Sequence, residues 1–164
     1  MTEASIEDHL TLLVEEALEL RSQSSMPSSE ATPQEVLNSL LDQRWRADRM
    51  EAINIEVMRI RGRVSRATAY CKAAVDDTWT QALVDARKSS ARRGDQFEGP
   101  RERYADADLA ALSQRRELRK AENVLSLADE VSEIIKTASR GLSDIIQDHR
   151  TWIKALQFQS YLEK

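Results

Sequence analysis

From Met50 to Thr78, apolar and small residues recur at alternating spacings of three and four: Met50, Ile53, Val57, Ile60, Val64, Ala67, Cys71, Ala74 and Thr78. A 3.5-residue repeat keeps one stripe of a helix turned toward a partner, so the stretch reads as a coiled-coil seam. Its helix has a strong start upstream, with Thr32 as N-cap, Pro33 at the first helical position and Glu35 completing a capping box. Nothing forces that helix to stop before about Ser89. Gly62 lies inside it at a cost of about 1 kcal/mol relative to Ala. A missing side chain there suits a crowded helix contact, or the close approach of a backbone or phosphate. Trp45 and Trp79 read as core or interface anchors rather than base-stacking groups.

Two further helical patterns flank this one. Over residues 5–22, Ser5 and Asp8 resemble an N-cap arrangement, and Ile6, Leu10, Leu13, Ala17 and Leu20 form an apolar stripe. The remainder is acidic (Glu7, Asp8, Glu15, Glu16, Glu19). It suits a solvated face, a docking segment for a basic partner, or an arm that competes with DNA for the protein's own arginines. Residues 22–33 are a serine-rich linker. At the other end, the glycines and proline of Arg92-Arg93-Gly94-Asp95-Gln96-Phe97-Glu98-Gly99-Pro100 predict a turn.

A second long helix is expected from near Arg101 to about Ser139. Beyond Ala121 it carries two seams side by side. One is Ala121, Leu125, Ala128, Ser132 and Ile135; the other is Val124, Leu127, Val131, Ile134 and Ala138. So wide an apolar face exceeds what one partner helix covers, and a neighbouring subunit is expected on it, in a ring or bundle. Ser139-Arg140-Gly141 punctuates the helix before the pattern resumes through Phe158. Ile134, Ile135, Leu142, Ile146, Trp152, Ile153, Leu156 and Phe158 are the residues expected to hold subunits together.

The predicted fold is therefore all-α: a long antiparallel helical hairpin with a short N-terminal helix, assembling into a helical oligomer. Residues 1–33 form an acidic helix and linker, and residues 34–164 the hairpin and oligomerisation domain. Composition agrees, with 32% charged residues, 5% aromatics, 4 Gly and 3 Pro.

Charge changes the picture. The chain carries a net −4, which argues against a generic nucleic-acid binder. Yet residues 1–42 hold nine acidic groups against Arg21 alone, a net −8, whereas residues 43–72 are +5 and residues 87–103 are +3. Screening confines electrostatics to about 8 Å at physiological salt, so a local basic surface can bind a polyanion on an acidic chain. Cys71 is the single cysteine and fits a reducing compartment. No run of about 18 apolar residues occurs, and acid stands where a signal peptide needs base. A soluble, cytoplasmic protein without membrane contact is expected.

Chemistry is sparse. His9 and His149 stand far apart and Cys71 has no cysteine partner, so neighbours supply no metal ligand set. Carboxylate pairs such as Asp76-Asp77 lie among many others, and nothing marks a nucleophile elbow or oxyanion loop. No enzyme, cofactor or small-molecule substrate is expected.

The candidate chemistry is a stripe of arginines. At about 100° per residue, Arg59, Arg63, Arg66 and Tyr70 share one flank beside the seam, and Arg61 points to the other. Such a flank can contact successive phosphates while Tyr70 stacks on an unpaired base, which suits single strands. Arg92 and Arg93 add to the basic surface. The competing reading is that Glu56 pairs with Arg59 and the other arginines only solubilise a coiled coil.

The long basic helix, the loop Arg93-Gly94-Asp95-x-Phe97 followed by Arg103-Tyr104, and a second long helix together resemble the UvsY family. These are the recombination mediators of T-even-type bacteriophages. Ser139-Arg140-Gly141-Leu142 and Ile146-Gln147-Asp148-x-Arg150 add to the likeness, which covers roughly residues 45–152 and leaves out the N-terminal thirty. The resemblance implies a homo-oligomer that binds single-stranded DNA. It also implies a protein that helps a RecA-like recombinase displace single-strand-binding protein, with Arg59, Arg61, Arg63 and Arg66 as DNA contacts. The acidic balance departs from that family's expected character. The alternative is a helical structural or assembly protein, such as a virion component, without a nucleic-acid role. A third reading is an adaptor that binds a protein partner through residues 5–22.

Overall fold

The computed structural model describes residues 3–28, 31–93 and 108–162, with side chains over 5–28, 31–88, 108 and 110–158. The described residues are helical apart from short connecting pieces, and contain no strand. The elements are α1 (Glu3–Ser22), α2 (Pro33–Arg93) and α3 (Leu109–Leu162).

Local chemistry sets the helix ends. Before α2 the capping box forms as the sequence predicts: the Thr32 N–H donates to Glu35 Oε2 at 2.7 Å and the Glu35 N–H to Thr32 Oγ1 at 3.4 Å. The Glu35 carboxyl is held below its ordinary range, first by the Thr32 backbone N–H and then by the Thr32 hydroxyl. A carboxylate favoured in this way stabilises the fold above its unfolded value of about 4.3, and the effect is lost as pH falls through the lower folded value. Between pH 7 and pH 3, wild type is expected to lose more thermal stability than Glu35→Gln, whose amide keeps the box without titrating.

Helix α1 begins at Glu3, so Ser5 lies inside its first turn rather than capping it. Asp108 caps α3, with Oδ1 accepting from the N–H groups of Ala110 at 2.9 Å and Ala111 at 3.1 Å. The turn expected at residues 94–100 and the helix start near Arg101 lie outside the described residues. Helix α3 runs unbroken through Ser139-Arg140-Gly141. One interior glycine costs too little to stop a helix held by packing on both sides.

The chain divides into two units, residues 1–60 with 128–164, and residues 61–127. In the first, three helices share a core. Leu10, Leu13, Ala17 and Leu20 of α1 are buried, as are Val36, Met50, Ile53, Val57 and Ile60 of α2 and Ala128, Val131, Ile135, Ala138 and Leu142 of α3. Helix α1 is tied to α2 by Arg49, which reaches both carboxylate oxygens of Glu16 at 2.5 and 2.9 Å, and by His9 Nε2 against Glu56 at 2.8 Å. The Glu16 hydrogen bond and charge, with Glu56 adding to them, raise the Arg49 pKa above its usual value. On the α3 side, the Arg21 guanidinium sits where a side chain at Gly141 would stand.

These contacts revise the reading of α3's double seam. Within the first unit α1 supplies the third wall that a neighbouring subunit was expected to supply. Ile135 and Leu142 are 0% and 1% exposed inside the single chain. They therefore have no free surface for a second copy. Ile134 keeps 41% of its surface, in a hollow of about 340 Å³ that it lines with Leu18, Thr137 and Ala138.

Polar groups enter the same core, some in pairs and some without a partner. His149 is fully buried, its Nδ1 facing the Ile145 carbonyl at 2.8 Å and its Nε2 facing Ser39 Oγ at 2.9 Å. The carbonyl can only accept, so Nδ1 carries a proton. Ser132 meets the Met58 sulfur at 3.9 Å. Gln43 Oε1 and Asn54 Oδ1 are buried without a hydrogen-bond partner, each at a cost of about 1–3 kcal/mol.

The second unit is thinner. Its fully buried apolar residues among those described are Val64, Ala86, Ala111 and Val124. The seam departs from its predicted spacing at one position here. Ala67 is exposed, and Thr68 takes its place, donating its hydroxyl to the Val64 carbonyl at 3.0 Å and the Ala121 carbonyl at 3.3 Å. The predicted Cys71, Ala74 and Thr78 are covered, and Val75, Trp79, Ala82, Leu83 and Ala86 join them. Two successive steps of four, Ile60 to Val64 to Thr68, are how a 3.6-residue helix absorbs its drift from a 3.5 repeat.

Candidate nucleic-acid interface

Arg59, Arg61, Arg63, Arg66 and Tyr70 are all exposed on α2, Tyr70 to 79%. From Arg59 to Tyr70 the helix rises about 16 Å. Arg59 and Arg63 have no ion pair or hydrogen bond among the described residues, whereas Arg61 is engaged. Glu56, which the solubilising alternative pairs with Arg59, bonds instead to His9 at 2.8 Å.

Gly62 stands in the middle of these arginines. Nothing lies within 4 Å of where its Cβ would be, so it answers to no crowded helix contact. Its carbonyl accepts from Arg66 Nε at 3.2 Å, which holds the guanidinium stem along the helix. Gly62→Ala is expected to stabilise the fold by about 1 kcal/mol. An accompanying fall in affinity for single-stranded DNA would show that the bare backbone serves the ligand, and thermal melts beside binding titrations measure both.

Side chains of Arg92 and Arg93 lie outside those described; the two residues close α2. A further basic run went unread in the sequence. Arg115, Arg116, Arg119 and Lys120 crowd one stretch of α3, with Arg116 and Arg119 exposed, Arg115 engaged, and Lys120 bonded to Glu117 at 2.8 Å. Four basic residues in six were visible as a charge run, but counting by apolar seams passes over them.

No known protein family, curated protein or solved structure matches this chain. The site therefore rests on its own geometry and charge. Residues 61–127 carry fourteen basic against ten acidic groups, a net +4, and the rest of the chain carries ten against eighteen, a net −8. The positive unit holds most of the arginine flank. Among the described residues no cluster of three metal-ligating side chains occurs, and no helix is long and apolar enough to cross a membrane.

The expected oligomerisation residues separate into two groups. Ile135 and Leu142 are buried in the chain; Ile146, Trp152, Ile153 and Leu156 are half-buried, and Phe158 is 66% exposed. Trp45, read as a core or interface anchor, is 61% exposed and so outside the core, and Trp79 is half-buried and engaged.

Proposed function

We propose that this protein is a recombination mediator of the UvsY type, a non-catalytic homo-oligomer that binds single-stranded DNA. It loads a RecA-like recombinase in place of single-strand-binding protein, in the cytoplasm, which is the host's if the chain is phage-encoded. The observation that carries the DNA-binding step is the exposed flank of Arg59, Arg63, Arg66 and Tyr70, whose nearest acidic neighbour on the helix is occupied by His9. The resemblance over residues 45–152 carries the recombinase step. Sequence separations across the α2–α3 contacts support the antiparallel hairpin: Ser39 meets His149 at a separation of 110 and Met58 meets Ser132 at 74.

The test is fluorescence anisotropy of a labelled single strand across a salt series. Phosphate contacts give log K a slope of about −0.7 per contact against log salt. Absence of binding at micromolar protein and low salt, or binding indifferent to salt, would remove the proposal. A structural or assembly role is the second reading, favoured by the large apolar residues left exposed at the open end of the hairpin: Leu37, Leu41, Trp45 and Phe158. Finding the chain in purified particles would favour it.

A further inference from the structure

Helix α1 occupies one side of the α2–α3 pair, at Arg46, Arg49 and Glu56. At 100° per residue, Pro33, Leu37, Arg44, Ala47 and Asp48 fall on the opposite flank of α2. Two open hollows lie on that flank within the first unit. One, about 350 Å³, is lined by Pro33, Gln34 and Leu37 of α2 and by Ile153, Leu156 and Gln157 of α3. The other, about 490 Å³, holds Arg44 and Asp48 against Asp144 and Arg150, with Ser143 and Gln147 between. From residue 33 to residue 48 they follow α2 for about 24 Å.

The apolar end continues onto the outer face of α2. Leu37, Leu41 and Trp45, at i, i+4 and i+8, are 44%, 55% and 61% exposed, and Phe158 lies in the same end of α3 at 66%. An aromatic side chain offers 150–250 Å², so Trp45 and Phe158 alone expose roughly 200–300 Å². Leu37 and Leu41 carry the apolar hollow onto the outer face, whereas Trp45, one turn before Arg49, turns toward the α1 flank.

The charges identify the occupant. Arg44, Asp48, Asp144 and Arg150 have neither an ion pair nor a hydrogen bond among the described residues. Two cations and two anions on one face allow the same face, turned through a two-fold axis, to answer them with opposite charge. A basic or an acidic partner would leave half of them opposed to like charge.

We infer that this α2–α3 face is a self-complementary, two-fold contact between two copies of the chain, with Leu37, Leu41, Ile153 and Leu156 at its centre and the four charges beside them. The inference deepens the oligomeric part of the proposed function. It also adds α2's first turns, which the sequence did not mark as a subunit contact. A two-fold contact closes on itself, so the unit it builds is a pair.

Two charge variants test it. Asp48→Lys with Asp144→Lys makes the face uniformly basic, and Arg44→Glu with Arg150→Glu makes it uniformly acidic. Light scattering at tens of micromolar is expected to give wild type twice the 18.7 kDa chain mass, or an even multiple. Each variant alone should run at half the wild-type mass, and an equimolar mixture should restore it. Recovery on mixing is a readout that a fault within one chain cannot produce. Leu37→Lys with Leu41→Lys, both at exposed positions, should also halve the mass while circular dichroism stays helical.

A monomeric wild type, variants that keep wild-type mass, or a mixture that stays dissociated would overturn the inference. So would an odd-numbered assembly. DNA binding measured on the dissociated variants judges the mediator reading separately. Retained, salt-dependent binding there leaves that reading standing whatever happens to the pair.

Discussion

Replacing Arg59, Arg63 and Arg66 together with Ala is expected to weaken single-stranded DNA binding roughly a hundredfold at 0.05 M salt and to flatten the salt slope by about 2. Both figures come from losing three phosphate contacts, each releasing less than one counterion on a single strand. The fold should not move. All three side chains are exposed, none closes an ion pair among the described residues, and Ala is the better helix former at each position. Circular dichroism and mass beside the titration separate lost contacts from lost structure. Tyr70→Ala should act differently: a loss of about 1–3 kcal/mol with little change in slope, because stacking releases no counterions. If the triple variant binds as wild type does, the arginines only solubilise the helix.

The seam and the stripe were legible for a common reason. Both are periodic, and period is what a helical sequence writes most plainly. The buried set Met50, Ile53, Val57, Ile60 and Val64 follows the predicted spacing residue by residue. The pattern fails at Ala67, where a 3.5 repeat projected forward falls one residue short and Thr68 turns inward instead. Nothing at Ala67 announces the change, because alanine is as much at home exposed as buried. Pairing across elements was not legible at all. Glu56 is one turn from Arg59 in sequence, yet its partner is His9, 47 residues away. His149 meets Ser39 across 110 residues.

The largest change concerns the N-terminal helix. Its acidic residues suit a solvated face, a docking segment for a basic partner, or an arm that competes with DNA for the protein's own arginines. Glu16 does take an arginine, but it takes Arg49, inside the first unit, and not one of the DNA-facing flank. The apolar stripe is buried as its spacing predicts, but the part of α3's double seam that the hairpin partner leaves uncovered predicts a neighbouring subunit, where α1 supplies cover. A wide apolar face says how much must be covered. It does not say whether the cover comes from the same chain.

Deleting residues 1–28 distinguishes these roles. As a structural wall, α1 contributes four buried apolar side chains, and Leu10, Leu13 and Leu20 alone are worth about 1.5–3 kcal/mol each. That sum is comparable with the whole 5–15 kcal/mol stability of an ordinary domain. The truncated chain is therefore expected to melt far below wild type, or to aggregate through the exposed side of α3. A loose competing arm predicts the reverse, an unchanged melting temperature and tighter DNA binding. Leu13→Ala gives the graded form of the test. It removes one side chain that is 5% exposed and leaves every charge of α1 in place. A loss of about 2–5 kcal/mol is expected from the transfer and cavity terms together. DNA affinity measured below the melting transition should not change, since no residue of the arginine flank is altered. Stability lost without affinity gained would assign α1 to the core.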